Sequence, residues 1–300
     1  MSTEQSYETY YVPHNSKLPI FASIGIFLLL VGMGKNFNDM TAGMESSIGG
    51  WISSVGFIVL GLTLFTWFST VIRENHEKLN SAQMKRSYVW GMTWFIFSEV
   101  MFFAAFFGAL FYVRFYVVDW IGGVGDRGPS NLEWPDYVPH WPMLETPNPA
   151  QYPGAAEAMG WWGLPLINTI VLLASSGTIT IAHHGVNEGN RSKLIIWLAI
   201  TVLLGVFFLI LQAYEYYHAY TEMGLTLQAG IYGTTFFMLT GFHGAHVTLG
   251  TFMLLIQLFR AMKGHFTKED CFGFEASAWY WHFVDVVWIG LFIFVYILGS

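Results

Sequence analysis

Glu99 stands inside the stretch from Tyr88 to Tyr112, with apolar residues for several helical turns on either side. A carboxyl at the centre of a membrane helix costs roughly 2.5–3.5 kcal/mol on insertion scales, and such residues mark ion paths, proton sites or buried polar contacts. Imidazoles supply the second kind of chemistry. Gly241-Phe-His243-Gly-Ala-His246 places two of them at i and i+3 on one helix face, and Trp281-His282-Phe-Val-Asp285 adds a third with a carboxylate three residues on. Histidines inside spans hold haem or copper in some proteins. Bis-histidine ligation needs ligands from facing helices at matched depth, so this spacing favours another role: His243, His246 and His282 as interhelical hydrogen-bond groups, with Asp285 and Glu275 as carboxylate partners. His183-His184 falls at a helix end beside Asn187, Glu188, Asn190 and Arg191, where a polar cluster is ordinary.

Other chemistries lack their residues. A single Cys271 cannot form an internal disulfide or provide paired thiolates for copper or iron–sulfur clusters. The methionines are scattered, and neither a glycine-rich phosphate loop nor a serine hydrolase elbow occurs. With a formal net charge of -7 the chain offers no basic surface to nucleic acid.

The elements that position these groups follow from composition. Hydrophobic residues make up 54% and charged residues 11% of the 300, against roughly 25% charged in soluble domains. The chain reads as an all-α integral membrane protein. Seven stretches meet the roughly 20 apolar residues that a helix needs to cross a bilayer: 18–34, 49–72, 88–113, 163–182, 194–215, 229–259 and 276–298. No basic n-region precedes the first, so it is expected to be a retained helix and not a signal peptide. If the N-terminus is inside, the inner segments hold ten basic residues: Lys17, Arg73, Lys78, Lys85, Arg86, Arg191, Lys193, Arg260, Lys263 and Lys268. The outer segments hold Lys35, Arg114 and Arg127. That asymmetry predicts a cytoplasmic N-terminus and an external C-terminus.

The long segment at about 114–162 is rich in Pro, Trp and acid, including Asp119, Asp126, Glu133, Asp136, Glu145 and Glu157. It is expected to be an external loop packed on partners; its length is unusual for a plain connection. Glycines within the spans, such as Gly25, Gly56, Gly61, Gly108 and Gly241, are expected to let helices approach closely. Trp67 is an amphipathic interfacial anchor, and Arg73 and Arg260 close the inner ends of the second and sixth spans, where basic residues hold anionic headgroups.

Several strings, in order along the chain, carry a resemblance. Val71-Ile-Arg73-Glu74, Phe97-Ser-Glu99-Val-Met-Phe-Phe103, Leu172-Leu-Ala-Ser-Ser176 with Ala182-His-His184, Leu211-Gln-Ala-Tyr-Glu215-Tyr-Tyr217 and Tyr232-Gly-Thr-Thr-Phe-Phe237 are five of them. Thr240-Gly-Phe-His243-Gly-Ala-His246 and the run from Phe272 to Trp288 complete the set. Together they closely resemble cytochrome c oxidase subunit III, over about 65–113 and 161–300.

The resemblance implies a non-catalytic subunit of a haem–copper oxidase: no haem or copper in this chain, both expected in partner subunits, bound phospholipid, and packing against oxidase subunits I and II. It implies helices 1–2 and helices 3–7 as two bundles around a lipid-filled V-shaped cleft. The domains would be a cytoplasmic tail (1–17), helices 1–2 (18–72), a cytoplasmic loop (73–87) and helices 3–7 (88–300). The family's subunit sustains proton uptake, protects subunit I from turnover-linked inactivation, and its cleft is thought to guide oxygen. Glu99 corresponds to the family's membrane carboxyl on the third helix; desolvation favours its neutral form, and His243 or another imidazole is its expected partner.

Trp67, Arg73 and Arg260 match the family's lipid positions in part. Phe68-Ser69 departs where many relatives have Trp followed by a basic residue, which puts one headgroup contact in doubt. The acids Glu269 and Asp270 and the long loop are further departures; loop acids would suit a basic partner surface. Seven spans favour the cytochrome c branch over a quinol oxidase, the alternative within the family. Cytochrome c would then meet this chain only through the complex, in a bacterial cell membrane. The rival from another class is a seven-helix transporter using Glu99 and Asp285 as an ion relay. A pore should stack several polar residues along facing spans, whereas polar positions here are few and set among aromatics.

Overall fold

The computed structural model describes residues 11, 15–44, 47–125, 131–268 and 270–299. Asp126, Arg127 and Glu269, and most of the N-terminal tail, lie outside the described residues. Among those described there is no strand, and seven helices are long and apolar enough to cross a membrane. They are α1 (Leu18–Thr41), α2 (Ile48–His76), α3 (Ala82–Tyr112, continued to Ile121 by the π turn Val113–Val117 and the short helix Val118–Ile121), α4 (Leu164–Glu188), α5 (Arg191–Thr221), α6 (Gly230–Met262) and α7 (Phe272–Leu291, continued by the π turn Phe292–Ile297).

Most of these helices outrun the apolar stretches, because their ends find polar partners. α1 continues past residue 34 through Lys35, whose ammonium reaches Asp39 at 2.8 Å one turn on. Asp39 also accepts from the Ser47 hydroxyl at 2.7 Å, and Ser47 in turn caps α2 through Gly49 N. Asn190 caps α5 at Lys193 N, and Gly189, with φ 72°, ends α4 in the left-handed conformation that suits glycine.

The chain divides into two compact units, residues 1–90 and 91–300. In the first, α1 and α2 form an antiparallel hairpin whose register is set by glycine. A Cβ on Gly25 would meet Leu60 N at 3.0 Å; on Gly32, Gly49 and Gly56 it would fall on the backbone nitrogens of Ser53, Asn36 and Leu29. With no side chain at the crossing, backbone packs on backbone, the arrangement that membrane helices use in place of a hydrophobic drive. Gly61 and Gly108 do not behave as expected: a Cβ at either meets nothing within 4 Å, so they face away from neighbouring helices.

In the second unit α4, α5, α6 and α7 pack with the remainder of α3. The core is aromatic. Trp281, Trp288, Tyr280, Tyr296, Phe208 and Phe274 are all fully buried, and two indoles donate to hydroxyls on α4, Trp281 to Ser175 and Trp288 to Thr169, both at 2.9 Å. The loop before α4 is held to this unit. Met159 N donates to the Tyr232 hydroxyl at 3.0 Å and Ala156 N to Met223 O at 2.9 Å, while Met143, Ala155 and Met159 are buried. Burial also raises the pKa of Tyr137. Its acids Glu133, Asp136 and Glu145 line a surface groove with Trp134 and Tyr137.

Candidate functional site

α3 presents Glu99 to α6. Its carboxylate oxygen Oε2 lies 2.9 Å from His246 Nε2, with Glu99 22% and His246 14% exposed at the side chain. The imidazole partner is therefore His246, one turn beyond the His243 named first by sequence. Around the pair stand Phe102, Phe103, Tyr280 and Phe283, each with its ring 5.0–6.4 Å from that of His246. Such a wall is poorly hydrated, and the two polar groups satisfy each other within it.

The second ring nitrogen fixes the protons. His246 Nδ1 lies 2.6 Å from Phe242 O. A carbonyl only accepts, so Nδ1 carries a hydrogen and Nε2 faces Glu99. Two arrangements then satisfy the contact: an imidazolium donating to a carboxylate, or a carboxylic acid donating to a neutral imidazole. Both have one proton between the groups and no net charge. Either arrangement avoids an isolated carboxylate in an apolar wall, which would be far costlier.

The other histidines find different partners. His243 is fully buried, donates from Nε2 to Val284 O at 3.2 Å across the α6–α7 contact, and packs on Trp288 and Phe208 at 5.0 and 5.8 Å. It meets a carbonyl and not a carboxylate, so two imidazoles at i and i+3 are divided between the bundle core and α3. His282 Nδ1 is 2.9 Å from Ser176 Oγ on α4 and 3.7 Å from Asp285 Oδ2, beyond hydrogen-bond length. Asp285 is 3% exposed and neither of its oxygens has a hydrogen-bond partner. Glu275, in the first turn of α7, meets His183 Nε2 at 3.4 Å and the Cys271 thiol at 3.6 Å. Burial, with Glu275 adding to it, pushes that thiol up to about 12, leaving it unreactive near neutral pH. Among the described residues no group of three or more His, Cys, Asp and Glu side chains is gathered as a metal site.

The two arginines differ in freedom. Arg73, in the last turn of α2, is exposed, and Trp67 stacks on Phe68 at 5.3 Å in the same helix. Arg260 is half-buried: Nη1 donates to Gln257 Oε1 at 3.0 Å and the guanidinium lies 4.8 Å from the Phe266 ring centre. Gly273 makes room for it, since a Cβ there would stand 2.5 Å from Nη1.

Sequence reading passed over Glu215. It ends the apolar stretch 194–215, and it is fully buried and accepts from the Tyr296 hydroxyl at 2.6 Å. A carboxyl one turn beyond Gln212, in a helix without an acidic or basic neighbour until His218, was the available signal.

A family model described as cytochrome c oxidase subunit III matches residues 8–124 and 149–300, passing over 125–148. The chain is 37% identical over 294 residues to the probable cytochrome c oxidase subunit 3 of Rickettsia conorii, covering 97% of this chain and 94% of that one. It is 39% identical over 302 residues to cytochrome c oxidase subunit 3 of Drosophila melanogaster, covering 100% of both. Against the Bos taurus protein of the same name the figures are 38% over 294 residues and 97% of both chains.

Proposed function

Because this chain belongs to the cytochrome c oxidase subunit III family, we propose that it is the non-catalytic subunit of an aerobic respiratory oxidase in a bacterial cell membrane, with its N-terminus cytoplasmic. It packs beside subunits I and II, which hold the haem and copper, and meets cytochrome c only through the complex. It stabilises subunit I and sustains its proton uptake. The observation that supports this reading most directly is the Glu99–His246 pair, a carboxyl and an imidazole 2.9 Å apart inside an aromatic wall. A carboxyl and an imidazole in hydrogen-bond contact can hold a proton between them, and neither is a redox group. His243, His246, His282 and Glu275 serve as hydrogen-bond groups of helices 3–7, and Asp285 as a buried packing group beside His282.

Purification tests the assignment of redox chemistry to partners. The gently solubilised complex is expected to show haem in its visible spectrum, and the isolated chain none. Haem retained by this chain after removal of the larger subunit would contradict it.

Phospholipid is the second ligand of this reading. Trp67 and the exposed Arg73 suit a headgroup at the end of α2, because a guanidinium makes paired, charge-assisted hydrogen bonds to phosphate that a neutral residue cannot replace. Arg260, already holding Gln257, has less of its fork to offer. Arg73→Gln with Arg260→Gln is therefore expected to insert normally, to lose tightly held phospholipid and to inactivate faster during turnover, with Arg73→Gln alone giving most of the loss. Native mass spectrometry checks this; undiminished lipid occupancy would leave both arginines a topological role.

A further inference from the structure

A second polar site lies in the core of the second unit, apart from the Glu99–His246 pair. Glu215 on α5 is fully buried; its Oε1 accepts from Tyr296, while Oε2 has no hydrogen-bond partner. Gln212, one turn earlier on the same helix, is 5% exposed, and both of its amide atoms are without a partner although the Tyr216 hydroxyl is nearby. Asn168 on α4 is fully buried, and both of its amide atoms are likewise unpaired.

Register brings Asn168 and Gln212 to neighbouring depths, with Glu215 about one turn further along α5. α4 and α5 run antiparallel, with the Thr178 and Thr201 hydroxyls 2.7 Å apart and the Leu194 backbone against Gly185. Continuing that pairing sets Asn168 opposite the turn that carries Gln212. Thr169, beside Asn168, accepts from Trp288 on α7, which ties the same level to the third helix.

The fourth wall is built by an irregularity. A regular helix would rotate Tyr296 away from the face that Trp288 occupies. The π turn Phe292–Ile297, with its wider i→i+5 bonding, rotates less per residue and returns Tyr296 to that face, where it is fully buried and reaches Glu215. π turns are rare and concentrate at functional sites.

Five unpaired buried atoms therefore lie within about one to two turns of one another along the α4–α5 contact: two amide NH2 groups, which donate, and three oxygens, which accept. Buried polar atoms in folded proteins are almost always satisfied by protein or by ordered water. A cation would serve the oxygens and strand both amides. Water donates and accepts, and typically makes about three hydrogen bonds in such a site. We propose that Asn168, Gln212, Glu215 and Tyr296 form a binding site for ordered internal water, which joins α4, α5 and α7 around the buried Glu215 carboxyl.

The test is a high-resolution cryo-electron microscopy map of the intact oxidase, with infrared spectra in H2-16O and H2-18O. The expected result is a density peak at about 2.7–3.2 Å from at least two of these side chains and an isotope-shifted internal-water band that Asn168→Leu with Gln212→Met removes. Asn168 and Gln212 bonded directly to each other with no peak between them would overturn the proposal. So would a peak surrounded by oxygens alone at shorter, metal-like distances. The wild-type map decides the matter even if the double variant fails to assemble.

Discussion

Gly32→Val is expected to dismantle the α1–α2 hairpin and to strip this subunit from the purified oxidase. The Cβ would fall on Ser53 N and crowd Gly49 O at 2.8 Å, and backbone cannot step aside as a flexible side chain does. Relief requires the two helices to separate along a seam that Gly25, Gly49 and Gly56 also hold closed. Overpacking a tight core costs about 1–3 kcal/mol and sometimes more; a backbone clash at the centre of a seam belongs at the upper end, and about 3 kcal/mol is roughly a hundredfold in population. Gly61→Val is the control, because a Cβ there meets nothing within 4 Å. The ratio of this subunit to haem after purification measures the effect: a tenfold or greater loss for Gly32→Val, with Gly61→Val near wild type. Equal recovery of both variants would show that the seam does not hold the hairpin together.

These glycines show where sequence is informative and where it is not. Apolar length located the seven helices among the described residues that can cross a membrane, because crossing a bilayer imposes a length that composition must meet. Helix ends were harder, since Lys35–Asp39 and the Ser47 and Asn190 caps let helices run on through polar residues. Which glycines lie at a seam depends on helix rotation, and the sequence pattern did not separate Gly25 and Gly56 from Gly61 and Gly108. Glu99 was legible as a charge in the wrong solvent. Its partner was not: His243 and His246 share a face by spacing, and only the placement of α3 against α6 assigns the carboxylate to His246. Asn168, Gln212 and Glu215 were harder still, because their grouping depends on the π turn that reorients Tyr296, for which local sequence gives no signal.

Glu99→Ala carries the other large effect. It removes the carboxyl and leaves His246 Nε2 unpaired inside the aromatic wall, a loss of about 1–3 kcal/mol for an unsatisfied buried group. The bundle retains its many other contacts, so the complex is expected to assemble with an unchanged haem spectrum while its proton uptake slows severalfold and its lifetime during turnover shortens. His246→Leu should act in the same direction and more severely, because it strands a carboxyl, which is costlier to leave unpaired than an imidazole. Disappearance of the haem signal from an otherwise assembled Glu99→Ala complex would place this chain in the redox chemistry instead.

Glu99→Gln separates the proton from the packing. With His246 Nδ1 donating to Phe242 O, Nε2 can accept from the new carboxamide, so the contact survives while the ionisable carboxyl is gone. The decisive measurement is proton uptake and turnover lifetime of the assembled Glu99→Gln oxidase beside wild type, at equal haem content and equal subunit recovery. Slower uptake and earlier inactivation, approaching the values of Glu99→Ala, are the expected result. Uptake and lifetime equal to wild type would show that the pair only packs α3 against α6.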